Sequence, residues 1–169
     1  YYKARDGLDI PAFLHTPSRE MCGAGPWPAV VHPHGGPWAR DDLQFDYSMW
    51  VPLLVSRCRA VLQPQYRGSS DWGAKLWFAG DREWGQKMQD DITWGVKHLV
   101  AEGIADPKRV GIMGGSYGGY ATLAGVAFTP DVYAAGVAVV APSNLVTLLD
   151  AIPPYWEAGR ITMYKRMGD

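Results

Sequence analysis

Apolar positions along the chain fall into short runs separated by glycine- and proline-rich stretches, and the spacing inside each run sets the element it predicts. Ala29-Val30-Val31-His32, Ala60-Val61-Leu62, Val110 to Met113 and Ala135 to Val140 are compact apolar runs with little alternation, the pattern of strands buried on both faces. Between them the period lengthens. Ile92, Val96, Leu99 and Val100 form one face of a helix over Asp90 to Glu102, with Asp90 or Asp91 as its cap and Gly103 as its stop. Met49, Trp50, Leu53 and Leu54 give helical spacing over Tyr47 to Ser56, blurred at the start by Pro52, and the small residues Tyr120 to Val126 suit a packed helix. Tyr2 to Leu14 reads as a hairpin turning at Asp6-Gly7. Residues 74 to 88 predict a short helix and loop, and Leu145 to Asp169 predicts helical pieces broken at Pro153-Pro154. Strands alternating with helices mean βαβ crossovers, hence an α/β domain with a mainly parallel sheet and helices on both faces.

The chemistry sits where the third of these strands ends. Gly114-Gly115-Ser116-Tyr117-Gly118 is a G-x-S-x-G pattern between a strand and a helix, which places Ser116 at the apex of a nucleophile elbow. Side chains at Gly114 and Gly118 would collide with each other or with a substrate, and the free N–H groups of the following helix favour a developing oxyanion. A second glycine pair follows the first strand. His34-Gly35-Gly36-Pro37 lets a backbone N–H approach a substrate carbonyl oxygen.

Composition narrows the rest. Formal net charge is −1 with acids and bases interspersed, so nucleic acid and anionic membrane are not expected partners. Charges at Lys3, Arg5, Asp6 and Asp9 interrupt the first residues, and no apolar run is long enough to span a bilayer, so the expectation is a soluble, cytoplasmic protein. Cys22 and Cys58 lack metal or redox spacing and read first as idle thiols, with a disulfide as the alternative. No metal or cofactor is expected: no two histidines are spaced i, i+4, and neither the phosphate-loop nor the dinucleotide glycine pattern is complete. The aromatic excess fits a concave apolar site, with Trp38, Tyr66, Tyr117, Tyr155 and Trp156 as candidates for its lining or for the core.

His34-Gly35-Gly36-Pro37, Tyr66-Arg67-Gly68-Ser69, Gly80-Asp81 with Trp84-Gly85, Asp90-Asp91 and Gly114 to Gly119 occur in an order that resembles the catalytic domain of the prolyl oligopeptidase family. The acylaminoacyl- and dipeptidyl-peptidase branch is the most similar. The resemblance implies an α/β-hydrolase fold and a serine peptidase or esterase acting on small peptides or short acyl esters. It makes Ser116 the nucleophile, the N–H groups of Tyr117 and Gly36 the oxyanion hole, and His34 a residue that shapes the Gly35-Gly36 loop. Arg67 either grips a substrate carboxylate or, as the sequence favours, holds its own loop through backbone carbonyls. In this fold an acid and then a histidine follow the serine. Here His15, His32, His34 and His98 all precede Ser116, and Asp131, Asp150, Glu157 and Asp169 have no histidine after them. The remaining readings of His32 as a core histidine, His15 and His98 as structural, and Asp81, Asp90 and Asp91 as caps or loop ion pairs follow from this order. The expectation is therefore the front part of a catalytic domain, without a β-propeller and stopping before the last strands, active only with the missing segment or silent as an interaction module. An open sheet edge after Ala135 to Val140 predicts association with a second chain or copy.

Overall fold

The computed structural model describes residues 1–168; Asp169 lies outside them. Its centre is a five-stranded sheet in the order β3-β5-β4-β6-β7. These strands are β3 (Ala12–His15), β4 (Trp27–Val31), β5 (Ala60–Pro64), β6 (Ala105–Gly115) and β7 (Ala135–Val139). β4 is parallel to β5 and β6, β6 is parallel to β7, and β3 runs antiparallel to β5. The chain thus has the mainly parallel sheet of an α/β-hydrolase. β5 is buried at every position, which explains why its sequence shows no alternation.

Right-handed crossovers assign the helices to faces. β4 to β5 moves one way across the sheet, and β5 to β6 steps back over β4, so the connecting helices lie on opposite faces. The first is α2 (Trp50–Ser56) and the second connection contains α3 (Ala74–Phe78) and α4 (Lys87–Ala101). β6 to β7 continues in the direction of the second crossover, and α5 (Tyr117–Phe128) accordingly packs beside α4.

Several boundaries differ from the sequence reading, each for a local reason. The hairpin forms at Asp6-Gly7 but pairs only β1 (Tyr2–Lys3) with β2 (Asp9–Ile10), after which β3 leaves to join the main sheet. α2 begins at Trp50, with Pro52 in its first turn where no N–H is needed, and the Asp46 carboxylate accepts from the Ser48 and Val51 N–H groups. β6 is longer than the run Val110 to Met113 because an irregular insertion between Ala105 and Val110 separates two paired stretches. α4 starts at Lys87, so Asp90 lies in its first turn and neither Asp90 nor Asp91 is the cap. Beyond β7 come α6 (Leu145–Asp150), a 3-10 turn at Pro154–Trp156 and α7 (Glu157–Met167), with the break at Pro153-Pro154 as expected.

The cysteines overturn an expectation. Cys22, the last residue of a short helix α1 (Arg19–Cys22), and Cys58, just after α2, form a disulfide with Cα atoms 5.4 Å apart. They are not idle thiols, and a disulfide is the mark of an oxidising compartment, so it gives no support to a cytoplasmic location. Among the described residues no helix is long and apolar enough to cross a membrane.

Candidate active site

β6 ends at Gly115 and α5 begins at Tyr117, leaving Ser116 alone to reverse the chain. Its backbone takes φ 56° and ψ −120°, a conformation that costs a non-glycine residue on the order of 1–3 kcal/mol and persists only where its surroundings enforce it. Here the enforcement is visible. The Ser116 N–H donates to the Val139 carbonyl at 2.9 Å, which pins the turn to the end of β7. A Cβ on Gly114 would stand 2.5 Å from the Gly118 carbonyl, and one on Gly118 would run into the carbonyl of Pro33. The glycines are therefore required by the protein's own backbone at the elbow. The Ser116 side chain is exposed, and the Tyr117 N–H, first in α5, has no acceptor within the helix.

The Gly35-Gly36 loop lies against this turn. A Cβ on Gly35 would sit 3.4 Å from Ser116 Cβ and 3.9 Å from its Oγ. Gly36 has φ 121°, a left-handed value that suits glycine, and its N–H makes no hydrogen bond among the described residues. Gly35, next to Gly36, thus packs against Ser116, and Tyr117 follows it directly in the chain.

His34 anchors the loop through both ring nitrogens. Its Nδ1 is 2.7 Å from the Gly35 carbonyl, which can only accept, and its Nε2 is 2.8 Å from Ser69 Oγ. Burial pushes the imidazole below its ordinary pKa, against the opposing pull of Asp41 and the Gly35 carbonyl. The Ser69 hydroxyl donates to the Tyr66 carbonyl at 2.6 Å, so His34, Ser69 and Tyr66 form one closed network. Tyr66 stacks on the imidazole at 4.5 Å and donates its hydroxyl to the His34 carbonyl at 2.7 Å.

Arg67 is structural, as the sequence favours, but its partners are two carboxylates rather than backbone carbonyls. Its Nε and one terminal nitrogen donate to Asp91 at 2.8 Å each, its backbone N–H adds a third bond at 3.0 Å, and Asp6 accepts two more at 3.0 Å. Asp91 is fully buried, while Asp6 is 44 % exposed on its side chain. The Asp6 carboxyl is lowered to about 2, first by its hydrogen bonds with Arg67. Tyr66, Arg67 and Ser69 thus form one buckle that ties the hairpin and α4 to the His34 loop.

A cleft of about 830 Å³ opens beside Ser116, with Gly35 and Gly115 at its near end. Trp50, Phe45 and Tyr47 supply its aromatic wall, and His15, His32 and Asp41 its polar one. Of the five aromatic residues that were candidates for pocket or core, Tyr66 and Tyr117 are core, Trp38 is half-buried, Tyr155 and Trp156 are exposed, and none lines this cleft. His32 bonds Met113 through Nδ1 at 2.6 Å, His15 bonds Gln63 at 2.8 Å, and His98 stacks on Tyr2. Among the described residues no histidine bonds Ser116. Asp91 fits the ion-pair reading, with Arg67 as its partner, whereas the contacts of Ser69 with His34 and of the Val139 carbonyl with Ser116 were missed, because nothing in local spacing marks partners that meet only across the fold.

Residues 45–165 match the prolyl oligopeptidase family. The chain belongs to that family. Dipeptidyl aminopeptidase BIII of Pseudoxanthomonas mexicana is 49 % identical over 172 residues, covering 98 % of this chain and 24 % of that protein. Dipeptidyl peptidase family member 6 of Caenorhabditis elegans is 40 % identical over 186 residues, covering 99 % and 25 %. Among solved structures, a puromycin-hydrolyzing peptidase of Mycobacterium tuberculosis superposes with a TM-score of 0.86 at 28 % identity, over 98 % of this chain and 25 % of that one. The chain therefore spans about a quarter of the length of the prolyl oligopeptidase relatives it matches.

Proposed function

We propose that a protein carrying this chain is a serine peptidase of the dipeptidyl- or acylaminoacyl-peptidase kind, in which residues 1–169 form the nucleophile-bearing part of the catalytic domain. The observation that carries this is Ser116: an exposed residue on an enforced positive-φ turn at the end of β6, at the start of α5 and packed against Gly35, in a chain of this family.

In the proposed reaction a base takes the Ser116 proton as Oγ bonds to the substrate carbonyl carbon. The oxygen, now negative, is held by the N–H groups of Tyr117 and Gly36. The carbon–nitrogen bond then breaks, the amine leaves with the proton, and water releases the acyl group by the reverse sequence. The acyl-enzyme route takes short activated esters as well as peptides. The cleft beside Gly35 and Gly115 receives part of the substrate. Among the described residues no histidine bonds Ser116, so the proposed reaction takes its base and acid from a further segment or chain, and without them the serine retains only the binding and oxyanion contributions.

A fluorophosphonate probe tests this. A protein carrying this chain with an acid and base is expected to be labelled at Ser116, and Ser116→Ala to lose the label and at least about 10³-fold in kcat. Labelling that persists in the folded Ser116→Ala variant would refute the assignment.

A further inference from the structure

The Gly35-Gly36 loop is anchored twice. His34 holds its near end through Ser69 and Tyr66. Its far end is Trp38-Ala39, where the Ala39 carbonyl accepts the Ser70 N–H at 2.9 Å and the Trp38 ring packs on Trp84 at 5.9 Å. Trp84 in turn meets Tyr117 edge-on at 4.7 Å. The remaining partner of Trp38 comes from α7. The Arg166 guanidinium lies 4.8 Å from the Trp38 ring centre and 4.4 Å from that of Trp77. It is fixed there by a 2.6 Å bond from Nε to Asp81 and a 3.2 Å bond to the Trp77 carbonyl, while the Arg166 carbonyl accepts the Arg82 N–H at 2.7 Å. Arg166 is only 9 % exposed.

A buried arginine so fully constrained is an anchor, and what it anchors stands two residues from Gly36. Gly36 has no side chain with which to hold itself, so the direction of its N–H is set by its flanks. We propose that Arg166 is a positioning residue for acyl transfer: by clamping Trp38 it fixes the far flank of the loop and thereby the aim of the Gly36 N–H at the oxyanion. This rests on the serine peptidase reading above. The role suits arginine because a planar guanidinium stacks on two indoles while its edge bonds a carboxylate, which an ammonium does not reproduce.

The test uses a protein carrying this chain with an acid and base, a chromogenic peptide substrate, and hydrogen exchange of the segment 33–45. Losing one oxyanion donor costs about 10²–10³ in kcat, so Arg166→Met, which loosens a donor without removing it, is expected to lower kcat by about 10–100-fold. KM should stay within about threefold, since uniform binding is untouched. Exchange of residues 33–45 should quicken while that of α4 stays unchanged, and Arg166→Lys should fall between Arg166→Met and the parent. Unchanged kcat and loop exchange in the folded variant would overturn the proposal. So would a raised KM with kcat retained, which means substrate contact, or faster exchange throughout, which means a general structural role. If Arg166→Met does not fold, Arg166→Lys carries the same readouts. Absence of turnover by the unsubstituted protein would sink the peptidase reading, and loop exchange alone would then decide whether Arg166 is the anchor.

Discussion

At Arg67 a single side chain holds three parts of the protein together, and its two carboxylate partners differ sharply in what they contribute. Asp91 is buried and receives three N–H groups from Arg67, so removing it strands a guanidinium in the core; Asp91→Ala is expected to cost about 3–5 kcal/mol. Asp6 makes bonds of similar length but its side chain is 44 % exposed, and Asp6→Ala is expected to cost about 1 kcal/mol or less. Urea denaturation of the two variants measures the contrast, and equal losses would contradict the ordering. Legibility in the sequence divides along the same line. Ser116, Gly114 and Gly118 could be read because local geometry alone demands them. Arg67 could be singled out but not explained, because its partner Asp91 is 24 residues away and is fixed only by the packing of α4.

The elements show a similar division. Strands β4 and β5 and helix α4 were legible because their apolar pattern is set by burial; β7 was located by its apolar run, but it is exposed at four of its five residues and not buried on both faces as that run suggested, and the ends of α2, α4 and β6 shifted. Those ends depend on the Asp46 cap, on the first turn from Lys87 and on the irregular insertion between Ala105 and Val110, which are side-chain and backbone events without a hydrophobic period. The disulfide was likewise not fixed by spacing, since it needs α1 and the end of α2 to meet. Its sequence separation of 36 residues closes a loop whose chain entropy corresponds to about 4 kcal/mol. Reduction with dithiothreitol, or paired substitution of Cys22 and Cys58 by alanine, is expected to lower stability by up to that amount in thermal or urea unfolding. An unchanged transition on reduction would mean that the bond constrains nothing in the unfolded chain.

For the whole molecule, fold and family were legible because motifs spread over most of the chain agree with one another. The oxyanion-loop anchor on α7 was not, since Arg166 and Trp38 belong to no common motif. Stability against pH also belongs at this scale. Burial keeps the folded His34 pKa below the ordinary value of about 6.5, so the unfolded chain takes up the proton first and stability falls as pH drops through about 6.5. The Asp6 carboxyl, lowered to about 2, adds a second loss only as pH falls from about 4 toward 2. Thermal melts between pH 8 and about pH 2 should show both windows, and His34→Gln should abolish the upper one alone. A variant whose melting still declines between pH 7 and pH 5.5 as the parent does would remove His34 from the explanation.

The bond from the Ser116 N–H to the Val139 carbonyl has a consequence for the growing polypeptide. His32 and Met113, which meet beside the elbow, are 81 residues apart, and the elbow itself is pinned by a strand that comes later still. A nascent chain that has delivered the serine but not yet β7 lacks the acceptor that holds the serine's backbone in its costly conformation. The turn at Ser116 therefore reaches its folded conformation only after β7 has followed it out of the ribosome.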